Sequence, residues 1–223
     1  TGTFTFQPFK ESATDPNYWA ARDSGDDETN PYPSIKGQKI QKLFFHRNRL
    51  GFISNENVVL SRPSDYFNLW NVSSITYTED NPIDITVNDT KPAYIRHTLP
   101  YQGGVLMFSD NGQFLLYSDA ELFSAKTVRL KKLASYESSA DVAPIDLGTS
   151  TMFTSSVSSF TRAFEARVTG TDSPPIVHEH TNFVPEYIPK DITVLKNSPV
   201  LGIATFGKKN SSEIYHFKHV EEG

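Results

Sequence analysis

The sequence predicts an all-β fold, and three observations carry that reading. Short runs of aromatic and β-branched residues alternate with clusters of Gly, Asn, Asp, Ser and Pro, the ordinary signature of strands and turns. Aromatic residues make up 13% of the chain, which favours sheets over helices. Four apolar strands followed by a polar turn and a returning strand begin at Leu50, Val105, Met152 and Val200, spaced 55, 47 and 48 residues apart. That spacing is close to the roughly 40 to 50 residues of a propeller blade. The expected fold is a β-propeller or propeller-like arrangement of antiparallel blades, complete or incomplete. A sandwich of several hairpins shows similar turns without a strict period, so periodicity alone leaves both open.

Residues 1–37 read as the end of a preceding unit followed by an acidic, Pro-rich loop. Phe4 and Phe6 alternate with Thr3, Thr5 and Gln7 as in a strand, and Asn17-Tyr18-Trp19-Ala20 follows. Asp23-Ser24-Gly25-Asp26-Asp27 and Asn30-Pro31-Tyr32-Pro33 break any regular element. Residues 38–223 are then the propeller-like domain, with blades starting near 43, 101, 149 and 192. Its founding hairpin runs from Leu43 to Arg62 across the turn Ser54-Asn55-Glu56-Asn57, with Gly51 marking a bulge or a close backbone approach.

Beyond it, Ser64–Trp70 is expected as a short strand or a turn of helix, Ile83–Val87 as a strand, and Lys91–His97 as a short helix. The second blade turns at Ser109–Gln113 and returns through Phe114–Tyr117, with Lys126–Lys131 as a further strand. In the third, Ser155–Ser159 separates Met152-Phe153 from Phe160–Ala166. In the fourth, Gly207–Ser211 separates Val200–Ile203 from Ile214–Phe217. The chain opens Thr1-Gly2-Thr3 and ends Glu221-Glu222-Gly223 after a strand-like segment, which reads as an excised piece.

A chain of 223 residues suits one large domain or two small ones. With no long apolar run it contains no membrane span or signal peptide. The absence of cysteine removes disulfides, thiolate metal sites and cysteine nucleophiles together. A formal net charge of -5 argues against a surface built to grip nucleic acid, which needs clustered Lys and Arg. It leaves room for nucleic acid that passes without being held, since an acidic or neutral wall repels phosphate.

The chemical motifs are weak. Gly202-Ile203-Ala204-Thr205-Phe206-Gly207-Lys208-Lys209 matches a phosphate loop up to its lysine but has Lys209 where Ser or Thr should hold magnesium, and a strand follows. His178-Glu179-His180 puts two imidazoles two residues apart without a third ligand at a zinc spacing, and an exposed loop after Pro174-Pro175 is the better account. Asp23, Asp26, Asp27 and Glu28 lack the calcium-loop spacing and read as a solvated loop, one able to dock a neighbouring subunit. Asp80 with Asp84, or Asp119 with Glu121, are acidic pairs of a kind any surface has, and glycoside hydrolysis needs a measured separation. The serines Ser155, Ser156, Ser158 and Ser159 are turn formers outside any nucleophile elbow. The sequons at Asn71, Asn88 and Asn210 carry little weight.

Lys126, Arg129, Lys131 and Lys132 split between two faces of a strand, which suits edge protection better than DNA contact. Arg47, Arg49 and Arg62 flank the founding hairpin near Glu56, Asp65 and the Asp80–Asp84 turn. Bidentate pairing with a carboxylate that locks one blade to the next is one reading, and three exposed arginines the other. No catalytic, cofactor-binding or metal residue is assigned, and the expected role is structural.

Phe44-Phe45-His46-Arg47-Asn48-Arg49-Leu50-Gly51-Phe52 followed by Glu56-Asn57-Val58-Val59-Leu60-Ser61-Arg62 resembles the tail tubular protein B family, the nozzle proteins of short-tailed, podovirus-type bacteriophages. Likeness extends to Gly25–Ser34, Asp80–Asp84, Ser158–Thr161 and Val184–Pro189. The resemblance implies a virion tail component in which six copies surround a channel, attach to the tubular adaptor and meet tail fibres, while DNA passes without specific binding. It implies no enzyme activity and no cofactor. A carbohydrate-binding or carbohydrate-cleaving propeller for host recognition is the alternative.

Overall fold

Two-residue turns set the first sheet. In the computed structural model, which describes residues 18–101, 103–167, 175–198 and 200–218, strand β1 (Lys42–His46) meets β2 (Arg49–Ser54) with His46 opposite Arg49. Arg47 and Asn48 make the turn with φ of 47° and 60°, the left-handed pair that matches strand twist. Strand β3 (Asn57–Leu60) follows across Asn55-Glu56, and β4 (Ile83–Thr86) completes an antiparallel sheet in chain order. The expected founding hairpin is therefore two hairpins. Its first turn was hidden because Arg-Asn replaces the usual Asn-Gly.

Gly51 is neither bulged nor approached by backbone. It lies opposite Phe44, whose ring covers it, and an added Cβ would sit 2.4 Å from that ring. The phenyl group fills the space that a side chain on β2 would need.

The remaining sheets repeat the meander. The second joins β5 (Ile95–Tyr101), β6 (Gly104–Ser109), β7 (Gly112–Ser118) and β8 (Val128–Ala134). The third joins β9 (Ile145–Asp146), β10 (Thr151–Ser156), β11 (Thr161–Arg167) and β12 (Ile176–Glu179). The last joins β13 (Val194–Ser198), β14 (Ile203–Gly207) and β15 (Ile214–Lys218). A single 3-10 turn at His180–Phe183 is the one helical element among the described residues. All-β is the fold class, and each recurring apolar run contributes to the second strand of its sheet.

Four expectations need correction. Lys91–His97 is not helical: fully buried Ile95 opens β5, bulged between Ile95 and His97, and Pro100 is tolerated because β5 is an edge strand. Ser64–Trp70 is irregular, tied down by the Arg62–Asp65 bridge and by Asn68, whose side chain donates to Asp65 at 2.9 Å. Val200–Gly202 is the turn before β14, with Gly202 at φ 61°. The strand expected from Lys126 starts at Val128. The alternation at Phe4 and Phe6 lies outside the described residues.

The chain divides into two compact units, one formed by Thr1–Val87 with Ser118–Arg129 and the other by Asn88–Tyr117 with Leu130–Gly223. In the second unit, the third sheet is buried on both faces, because consecutive strand residues point opposite ways. Phe153, Phe164 and Ala166 pack on Leu106, Phe108 and Leu115 of the second sheet, with Phe153 and Phe164 stacked at 5.2 Å. Met152 and Ala163 face Leu195, Ala204 and Phe206 of the last sheet. Each face removes several large side chains from water, at roughly 25 cal/mol per Å² of apolar surface.

Gly51→Ala is expected to destabilise the chain by about 1–3 kcal/mol through overpacking. Urea unfolding should show part of that loss recovered when Phe44→Ala is added, since the two residues share one space.

Candidate assembly surfaces and buried polar sites

Arg49 is only 2% exposed, yet no carboxylate meets its guanidinium. It donates to three backbone carbonyls instead, those of Ser61 and Asn81 at 2.8 Å and of Glu79 at 3.0 Å. Burial pulls its pKa down, and the nearby charge of Asp80 raises it. Ser61 and Asn81 extend the lock: the Ser61 hydroxyl accepts from Leu50 N at 3.0 Å, and the Asn81 side-chain oxygen accepts from Val72 N at 2.9 Å. Neither earlier account of the arginines fits Arg49. It binds a connection of its own unit to the first sheet, while Arg47 makes the β1–β2 turn and the backbone of Arg62 pairs with that of Asp65.

The four acids of the 23–28 loop are exposed to solvent, as expected, while bonds within the loop fix its backbone. Asp26 accepts from the backbone of Glu28 and Thr29 and from the Thr29 hydroxyl, bonds that lower its pKa. Asp27 pairs with Arg22. One oxygen of Asp26 and one of Asp27 are thus bonded within the loop itself. Asn30 and Asn71 exchange side-chain and backbone bonds, and Asp84 accepts from the Ser34 backbone at 2.7 Å and its hydroxyl at 2.6 Å. Asp84 thus joins the 31–37 segment to strand β4.

This anchoring opens an aromatic groove of about 330 Å³ in the first unit, with Trp19, Tyr32, Phe52, Phe67 and Trp70 in its walls. Trp19 meets Phe52 at 5.8 Å and Phe67 edge-on at 5.5 Å, and Tyr32 meets Trp70 at 4.9 Å. The Arg22 guanidinium lies 4.7 Å from the Trp70 ring, and the Lys36 ammonium over Tyr32. No Asp or Glu is among the described residues that line it. The apolar surface continues along β1 through Leu43, opposite Phe52, to Phe45, which is 56% exposed and edge-on to Tyr66. Sequence reasoning missed this groove, since its aromatics come from segments that look like unrelated loops.

His178 belongs to strand β12 and not to an exposed loop. It lies opposite Glu165 in register, and both line a cavity of about 280 Å³ with Arg167 and His180. His180 Nε2 is 2.7 Å from Glu165, which also accepts from the Ser150 hydroxyl at 2.6 Å. The serine is bonded to the carboxylate, so the imidazole is not placed to take its proton. Glu179 points to Arg162, at 2.8 Å from its Nε, and that bond holds its pKa down. His216 bonds Thr205 instead. No group of three metal-binding side chains occurs among the described residues.

The other motifs dissolve into structure. Residues 203–207 of the phosphate-loop match are strand β14, and Lys208 pairs with Asp191. Arg129 pairs with Asp119 at 2.9 Å and Lys132 with Asp89 at 2.6 Å, so neither cation of that cluster is gathered for DNA. The 183–187 loop, which sequence reading left unassigned, presents Phe183 at 88% exposure with Val184 and Tyr187 also exposed. No helix among the described residues is long and apolar enough to cross a membrane.

The model of the bacteriophage nozzle proteins matches residues 1–223. The chain belongs to this family. As a nozzle-family member it is a structural component of the phage tail. It is similar to the tail tubular protein gp12 of Escherichia phage T7, 32% identical over 208 residues, which are 92% of this chain and 26% of that protein. The nozzle-family chain thus spans about a quarter of the length of that curated relative.

Arg49→Met should lower stability by about 2–4 kcal/mol in urea titrations, because three buried carbonyls lose their donor. His46 yields a pH effect. Its ring is half-buried against Phe123, its Nε2 has no partner, and burial lowers its pKa. The fold therefore disfavours the protonated form, and stability should fall as pH drops through the ordinary imidazole range. His46→Phe should flatten that part of the pH–stability curve.

Proposed function

We propose that the chain forms part of an oligomeric tail nozzle through which the phage genome is ejected. Its sheets act as blades of a propeller-like domain over residues 38–223. The observation that carries this reading is the family match along the whole chain, joined to a fold of successive antiparallel meanders, two of whose sheet interfaces are packed face to face. The role is mechanical: buried sheet faces give a rigid wall, and a net charge of -5 repels a phosphate backbone, so DNA moves past without being held. By analogy with the family, six copies surround the channel, the tubular adaptor is attached above, and tail fibres dock outside. Neither catalysis nor a cofactor is needed.

The sugar-binding alternative is favoured by the aromatic groove. Sugar cleavage is disfavoured, since it needs a facing acid pair and no Asp or Glu is among the described residues that line the groove.

An electron-microscopy reconstruction of the full-length assembly is the test. A central opening wide enough for duplex DNA, ringed by this domain, is the expected result. A closed centre, or a domain remote from the opening, would contradict the proposal.

A further inference from the structure

Charge is unevenly placed in this chain. Residues 29–55 hold Lys36, Lys39, Lys42, Arg47 and Arg49 and none of the chain's 26 acidic residues, so the remainder is strongly acidic. Arg49 is buried, whereas Lys36, Lys39 and Arg47 are exposed. They lie in the same segment as Ile40, Leu43 and Phe45, three large apolar side chains each more than half exposed. This basic, apolar face is continuous with the aromatic groove.

The 183–187 loop of the second unit is its counterpart. Phe183, Val184 and Tyr187 are exposed, but the backbone beneath them is fixed. Thr161 donates from its N–H to Ile188 O at 3.0 Å and from its hydroxyl to Pro189 O at 2.8 Å. Glu186 holds a left-handed φ of 66°, and Tyr187 packs edge-on to Tyr215, whose hydroxyl donates to Glu213 at 2.7 Å. The loop is thus a preset apolar knob carrying one exposed acid, Glu186, with a second, Glu213, held beside it by Tyr215. Rigid, exposed aromatics of this kind mark contact surfaces.

We propose that the basic apolar face of one copy, from the groove to Phe45, receives the 183–187 loop of a second copy. The inference rests on the oligomeric nozzle reading and names the surfaces that build it. Two different patches meeting head to tail make a heterologous contact, the type that closes into rings. Opposite charge sets the register and speeds encounter, while the aromatic and aliphatic side chains supply the burial. Duplex DNA is the poorer occupant, because phosphate contacts leave Ile40, Leu43 and Phe45 in water.

The chain's lack of cysteine supplies a direct test. Full-length protein is prepared as two variants, Phe45→Cys and Tyr187→Cys, with any cysteine elsewhere replaced by serine, and the two are mixed under mild oxidation. Disulfide-linked pairs in the mixture and none in either variant alone are expected. Lys36→Glu with Lys39→Glu should slow association at least tenfold, and Glu186→Lys on the same chain should restore it. Assembly without cross-links overturns this contact but leaves the ring. No assembly at all overturns both. Cross-linking of Phe45→Cys alone would show a symmetric contact, and a duplex-DNA gel shift abolished by the lysine reversals would show a nucleic-acid surface; either result overturns the proposal.

Discussion

A buried cation that is satisfied by carbonyls holds the first unit together. Arg49 begins β2, the most buried strand of its sheet, and its planar fork reaches Ser61, Glu79 and Asn81. Those residues delimit the long connection between β3 and β4. Without a multivalent donor at this point, the connection would have three inward carbonyls unpaired, each a cost of about 1–3 kcal/mol. Lysine has the charge but not the fork. Placement of Trp70 and Phe67, which lie on that connection, and hence the groove itself, follows from the arginine.

The second unit solves the same problem without a buried cation among its described residues. Its third sheet presents Phe153 and Phe164 to one neighbour and Met152 and Ala163 to the other. Several of its polar groups are paired locally, as in the Ser150–Glu165–His180 chain, while the buried Thr154 hydroxyl has no partner. Packing on both faces makes the sheet rigid without disulfides.

Much of the fold was legible because period-two alternation and turn residues act locally. Val105–Phe108, Phe114–Tyr117 and Ile214–Phe217 fall within strands of the structure for that reason. The errors came where a distant partner decides. Ile95 is a strand residue because β6 pairs with it, and Gly51 is needed because Phe44 lies across from it. Arg49 looked like one of three equivalent arginines, and only the folded connection separates it from Arg47 and Arg62. The groove and the 183–187 loop were invisible for a related cause: side chains far apart in sequence build the first, and fixed backbone rather than residue type distinguishes the second.

Every sheet here is a meander of neighbouring strands, so its hydrogen-bonded partners lie close together along the polypeptide. Loop-closure entropy is small for such contacts, and contact order is correspondingly low within each sheet. A nascent chain leaving the ribosome can therefore complete one sheet before the next has been synthesised, keeping its edge strands exposed only briefly. This vectorial route limits the time in which unpaired strands from different chains could meet and aggregate.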